Sequence, residues 1–272
     1  MKKLIIILFL LGFAAPSFAA TVGSPDIDLP EEAFSTRDHA IHSALAQHES
    51  SINIRANAEI EFVVDRELDT SHETTGAELE GQNYMVKVST SYKKIFEPYI
   101  RIGTSNLKLK WKQNGYNITV ESDPGFMWGM GIKSKLWEFK DQGIKLALDF
   151  QYRTMDLDVN SVSLSPATSP QFRIEEFQTS LLASKRYILP IGMRDYYITP
   201  YTGLYLTSAE VDVRFDGNSG LEYSTYEADD ANPVGLVFGL DVMPSLLSWY
   251  LFNFELRLFN ETAFTFGGKM KF

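Results

Sequence analysis

The sequence predicts an all-β chain, an up-and-down antiparallel transmembrane β-barrel of about ten strands behind a short helical or extended segment. Three observations predict it. Apolar residues recur at every second position in run after run, the side-chain period of a strand and not of a helix. The connections between those runs alternate long and short, as expected when long loops lie on one side of a membrane and tight turns on the other. The chain also opens with an export leader: Met1-Lys2-Lys3, an apolar run from Leu4 to Ala15, and then Pro16-Ser17-Phe18-Ala19-Ala20. That is a charged end, an apolar centre and a small-x-small cleavage site. The run is too short to cross a bilayer, which takes about 20 apolar residues. Cleavage after Ala19 puts Ser17 and Ala19 at the small positions, so residues 1–19 are expected to be removed.

Without its two leader lysines the chain keeps 25 − 2 = 23 basic residues against 35 acidic ones, a formal charge near −12. Such a balance argues against a nucleic-acid partner. There is no cysteine, so an exported chain must be held by backbone bonding and burial alone, and thiol chemistry and cysteine metal sites are excluded. Aromatics make up 13% of the chain, which suits a lipid-facing surface with interfacial girdles. No stretch after the leader reaches transmembrane-helix length, and a barrel needs none, because its strands are apolar only at alternate positions.

Residues 20–52 form an acidic lead with Pro25, Pro30, Asp26, Asp28, Glu31 and Glu32. A short helix is expected from Thr36 to Gln47, with Ser35 as its N-cap and Ala40, Ile41, Ala44 and Leu45 as a narrow apolar stripe. The lead could be a periplasmic tail, a helix against the barrel mouth or a plug in the lumen.

Residues 53–272 carry the barrel pattern. The first strand sets Ile54, Ala56, Ala58, Ile60, Phe62 and Val64 against Arg55, Asn57, Glu59, Glu61 and Asp65. After a polar connection from Glu67 to Gly81, Tyr84, Val86 and Val88 oppose Met85, Lys87 and Ser89. A tight connection, Lys94 to Pro98, leads to Ile100, Ile102 and Thr104 against Tyr99, Arg101 and Gly103. The parity then slips, because Leu107, Leu109 and Trp111 are odd; a bulge near Ser105-Asn106 or an exit from the membrane would account for it. Phe126, Trp128, Met130 and Ile132 oppose Gly129, Gly131, Lys133 and Lys135. Then Ile144, Leu146, Leu148, Phe150 and Tyr152 oppose Lys145, Ala147, Asp149, Gln151 and Arg153. The sixth strand turns Phe177, Thr179 and Leu181 one way and Gln178, Ser180, Ser184 and Arg186 the other, interrupted by Leu182. The seventh, about Tyr196 to Phe215, crowds Tyr201, Leu204, Tyr205 and Leu206 together and has no readable faces. The eighth sets Val234 to Val242 outward with Asp241 inward, and the ninth Tyr250 to Leu258 outward with Asn253, Glu255 and Arg257 inward. A turn at Asn260-Glu261 begins the last strand, where Phe264, Phe266, Met270 and Phe272 alternate with Thr265 and Lys269. Ten strands place both termini in the periplasm. One connection breaks the alternation: that between strands nine and ten is short where a long outer loop is due.

A terminal Phe272 with apolar residues at alternating positions before it, Met270, Phe266 and Phe264, resembles the signal by which outer-membrane barrels are handed to their assembly machinery; Gly268 departs from it. With Pro98-Tyr-Ile-Arg-Ile-Gly103 and Phe126-Met-Trp-Gly-Met-Gly131, residues 53–272 resemble the small outer-membrane barrels of opacity type and OmpA type. The resemblance implies an outer-membrane location, contact with lipid and lipopolysaccharide, a C-terminal strand recognised during assembly, and a monomer.

The expected lumen face carries Arg55, Lys87, Arg101, Lys133, Lys145, Arg153, Arg186, Arg257 and Lys269 with Glu59, Glu61, Asp149, Asp241 and Glu255. Nine cations against five anions is a mixed interior with a positive excess. It is read either as ion pairs filling a narrow barrel or as a small pore favouring anions. Ten strands favour filling, since about eight already give an interior that side chains occupy. His39, His42 and His48 precede the barrel and His72 falls in the first outer connection, so no strand carries a histidine base. A hydrolase built on His72 and loop acids such as Asp123, Asp216, Asp229 and Asp230 is the weaker alternative. No cofactor and no metal site are expected.

Overall fold

The computed structural model describes residues 21, 23, 25–27, 52–70, 74–163, 171–192, 194–215, 225–245 and 248–272. The leader, the expected helix over 36–47, all four histidines and Asp216 lie outside them. Thirteen strands form one sheet: β1 (Ile52–Thr70), β2 (Thr74–Tyr92), β3 (Phe96–Gln113), β4 (Tyr116–Ser122), β5 (Gly125–Phe139), β6 (Ile144–Val162), β7 (Gln171–Lys185), β8 (Tyr187–Ile191), β9 (Arg194–Arg214), β10 (Thr225–Asp230), β11 (Val234–Met243), β12 (Tyr250–Leu258) and β13 (Glu261–Lys271). All pairings among the described residues are antiparallel, and β13 closes the ring by pairing both β12 and β1. Phe272 donates its N–H to the Ile54 carbonyl at 3.0 Å, continuing that seam.

The thirteen strands make ten staves. β4 and β5 both lie between β3 and β6, interrupted at Asp123-Pro124, so together they are one stave. β7 and β8 both run along β9. β10 and β11 also both pair β9, and the break between them carries Pro233, which has no N–H for a ladder.

Several staves are about twice as long as crossing a membrane requires: β9 has 21 residues, where about 9–11 suffice. The segments expected as long polar connections are largely strand. Residues 67–70 belong to β1 and 74–81 to β2, and β3 and β4 run up to an Asn114-Gly115 turn in which both residues have positive φ, 50° and 81°. Their apolar residues, among them Leu68, Ala77 and Leu79, point inward, while Glu67, Asp69, Glu78 and Glu80 point outward. Alternation with the apolar face inward reads as irregular polar sequence when the apolar face is expected outward.

This also accounts for the parity slip in β3. Its pairing with β2 runs without a shift from Glu78↔Lys110 to Ser89↔Tyr99, so there is no bulge at Ser105-Asn106. Odd positions point inward throughout; what changes is the environment outside. Below that level Ile100 and Ile102 are exposed to lipid; above it Leu107, Leu109 and Trp111 are buried in an apolar core. The faces of β9 resolve in the same way, with Tyr201, Tyr205, Val211 and Val213 inside and Leu204 and Leu206 outside.

The short β12–β13 turn has a structural meaning. This hairpin stops below the tops of its neighbours, and above it β10 pairs directly with β1 through Leu68↔Asp230, Asp69↔Asp229 and Thr70↔Ala228. The molecule is therefore a ten-stave barrel in the membrane and an eight-stave barrel above it, built from β1, β2, β3, β4, β6, β7, β9 and β10. A belt of exposed residues including Ile54, Val86, Ile102, Phe126, Phe150, Phe177, Leu204, Phe238, Phe252 and Phe266 surrounds the ten-stave part. A closed barrel with such a belt is an outer-membrane β-barrel.

Candidate functional site

Inside the ten-stave part the inward positions are polar on almost every stave, because lipid takes the apolar face and the period of two sends the rest inward. Arg55, Glu59, Glu61, Lys87, Arg101, Lys133, Asp149, Arg153, Asp241, Glu255, Arg257 and Lys269 are all buried there. Lys145 and Arg186 stand at the mouth of the ten-stave part, away from the eight-stave extension, with side chains 15% and 22% exposed.

The charges lie in tiers. At the mouth, Asp26 of the lead is held by Lys145 at 2.7 Å and Arg186 at 2.8 Å. Next, Glu97 lies between Arg55 and Lys269, at 3.6 Å from each. Above it, Glu59 faces Lys87 at 3.8 Å and Arg101 at 3.9 Å, Arg101 donates to Gln151 at 2.6 Å, and the Tyr99 hydroxyl donates to Asp149 at 3.0 Å. Higher again, Glu61 meets Arg153 at 3.2 Å and Arg257 at 3.5 Å, and Arg257 also faces Glu255 and Glu261. The top tier joins Arg66 to Glu176 at 3.2 Å and to Asp230, with Arg153 reaching the same Glu176 at 2.9 Å. Arg66 is on the first stave and Glu176 on the sixth of ten, so this pair crosses the full width of the barrel.

Sequence reading did not find Glu97, Arg66, Glu176, Glu261, Asp230 or Asp26. Glu97 and Glu261 stand in turn-like sequence but are buried strand residues, and Arg66 follows a shift in β1 between Val63 and Asp65 that moves the inward parity from odd to even. With Arg66 added, the groups traced in these tiers include ten cations; with Glu97, Glu176, Asp230, Glu261 and Asp26 added to the five expected acids, they include ten anions. Within these tiers the expected positive excess is thus offset by acids.

Three buried tyrosines lie against glycines on a neighbouring stave: Tyr99 against Gly131, Tyr205 against Gly235 and Tyr201 against Gly239. A Cβ on Gly239 or Gly235 would fall within the opposing ring, so the inward glycines are sockets for aromatic rings. Tyr201 then donates to Glu255 at 2.8 Å, which fixes that carboxylate.

The lead enters this interior. Thr21, Asp26 and Ile27 are at most 1% exposed. The Thr21 hydroxyl bonds Thr265 at 3.0 Å and lies 3.4 Å from Glu61, and its carbonyl accepts from Arg101. Gly23 donates its N–H to Glu255 at 2.8 Å and accepts from Lys133 at 3.1 Å. The described residues of the lead, 21, 23 and 25–27, thus lie among the inward-facing side chains of the wall.

Above the top tier the interior becomes apolar. Val63, Leu68, Leu79, Leu107, Leu109, Trp111, Val120, Met127, Met155, Phe172, Ile174, Val211, Val213 and Phe215 belong to one buried cluster. Tyr226 lies in it, with its ring against Trp111 and its hydroxyl donating to Gln113 at 2.8 Å across the barrel.

No protein-family model and no curated protein sequence matches the chain. Among solved structures it is similar to the translocator domain of the autotransporter NalP from Neisseria meningitidis, at 11% identity, covering 85% of this chain and 93% of that one, with a TM-score of 0.41. It is similar to the outer membrane protein OprG from Pseudomonas aeruginosa at 9% identity, 83% and 97% coverage and a TM-score of 0.37. It is also similar to the transport unit of the autotransporter AIDA-I from Escherichia coli at 8% identity, 90% and 94% coverage and a TM-score of 0.39.

Proposed function

We propose that this chain is a closed outer-membrane barrel with a structural or surface-interaction role: it carries an eight-stave extension above the membrane, conducts no ions and catalyses nothing. The observation that carries the reading is the apolar cluster filling the extension, in line with the lumen below. A hydrated ion crossing it would lose its water with no polar partner in exchange. The Arg66–Glu176 pair spanning the lumen is a second obstruction. An anion-favouring pore needs a surplus of cations, and in the charged tiers of the lumen the cations are offset by acids. A hydrolase based on His72 would lose one of its loop acids, Asp230, to the ion pair with Arg66.

In the same reading the barrel is a monomer that contacts lipid and lipopolysaccharide and binds no nucleic acid. Its leader is cut after Ala19, and the assembly machinery reads Phe264, Phe266, Met270 and Phe272. The likeness to opacity-type and OmpA-type barrels stays a likeness of pattern. Planar-bilayer recording of the purified barrel tests the central claim: a silent bilayer is expected, and steady channels, above all anion-selective ones, would overturn it.

A further inference from the structure

We propose that the lower lumen is a recognition site for one peptide segment bearing a carboxylate, and that residues 21, 23 and 25–27 of the chain itself belong to its ligand, seated amino end first through the periplasmic mouth. Four features of the wall read four features of the peptide. Arg101 takes the Thr21 carbonyl, and Lys133 the Gly23 carbonyl at 3.1 Å. Glu255 takes the Gly23 N–H at 2.8 Å. Lys145 and Arg186 bracket the Asp26 carboxylate at 2.7 and 2.8 Å.

The fit is specific in sequence as well as in charge. Gly23 has φ of +67°, a left-handed conformation that favours glycine, and a Cβ there would stand 3.3 Å from the Lys87 ammonium. Thr21 is wholly buried, its hydroxyl against Thr265. Charge gives an independent reason. Asp26 supplies a carboxylate where the two cations Lys145 and Arg186 converge. The order of contacts gives the direction: Thr21 lies in the Glu61 tier, deep in the lumen, and Asp26 at the mouth.

This inference is separate from the closed-barrel reading, because the apolar core above would block conduction with or without this segment. The chain has no cysteine, so introduced thiols are its only ones. In the full-length Thr21→Cys, Thr265→Cys double variant, mild oxidation of the assembled barrel should give an intramolecular disulfide, detected by mass spectrometry. In the single Thr21→Cys variant, a soluble maleimide should label the folded barrel at least about tenfold more slowly than the urea-unfolded chain. Adding Asp26→Asn should speed labelling severalfold. Heat-modifiable migration on a gel verifies that each variant is folded. Labelling of the folded Thr21→Cys barrel as fast as that of the unfolded chain would overturn the proposal. So would protection unaffected by Asp26→Asn, since the segment would then be seated without being recognised through its carboxylate.

Discussion

The membrane segment and the outer extension share staves and side-chain parity, yet their hydrophobic polarity is opposite. On β3, inward Tyr99 and Arg101 give way to inward Leu107, Leu109 and Trp111, while outward Ile100 and Ile102 give way to outward Lys108, Lys110 and Lys112. The backbone does not change; the solvent does. Where lipid lies outside, the apolar half of the alternation must face out and the polar half must satisfy itself inside. Where water lies outside, the same alternation builds an ordinary apolar core with ion pairs on its surface, such as Lys108–Glu121 at 2.7 Å. The two interiors also differ in how they hold the barrel shut: the lower one by paired charges whose removal one at a time is costly, the upper one by apolar packing.

Four changes would break or sharpen this contrast, in decreasing order of effect. Leu109→Arg places an unpaired charge in the apolar core, and a cost of about 3–5 kcal/mol, like that of a charge stripped of its partner, is expected. Limited proteolysis should then cut the extension while the membrane segment keeps its heat-modifiable migration. Cleavage no faster than in the unmodified chain would mean that the extension is not held by this core. Next, Ile102→Lys, seven residues earlier on the opposite face, should cost about 2–4 kcal/mol near the bilayer middle. Urea titration of the barrel folded into vesicles measures it, and a neutral result would place β3 outside the membrane at that level.

A smaller effect is expected from pH at the mouth of the lumen. Burial pushes the Asp26 carboxyl up, but Arg186 and Lys145 outweigh it and hold its pKa below the ordinary 3.8. A lowered pKa makes the interaction fully present above the unfolded value and lost as pH falls through the folded one. The lead should therefore stay seated through neutral and mildly acidic conditions and loosen only below about pH 4. The Gly23 amide resonance in glycine-labelled protein reports this, and movement near pH 6 would point to another titrating group. The smallest change is Lys110→Leu, which removes a partly exposed pair with Glu80 at 2.7 Å. It should cost no more than about 1 kcal/mol in the same urea titration. A larger loss would show that the outer surface of the extension is also buried, against a partner.

Much of the lower barrel was legible because lipid imposes one rule on every stave. The alternations around Ile144 to Tyr152 and Val234 to Val242 needed no knowledge of their neighbours. The extension was less legible, because Ala77, Leu79 and Leu107 follow the reverse rule and nothing local marks where lipid ends. Glu97 and Glu261 were missed for another reason: turn-like sequence surrounds them, and only their place on the ring shows that they enter the lumen.

By itself, then, the sequence determined the period of two, the lipid-facing parity and the antiparallel closure by the strand ending in Phe272, since each follows from neighbouring residues and one solvent. Only the tertiary structure decided that a short β12–β13 hairpin lets β10 reach β1 and turns ten staves into eight. It alone brought Arg66 to Glu176, 110 residues apart, and laid Thr21 against Thr265. The physical reason is the same in each case. Alternation is a property of a strand, whereas stave count, charge pairing and the seating of the lead depend on which strands become neighbours when the ring closes.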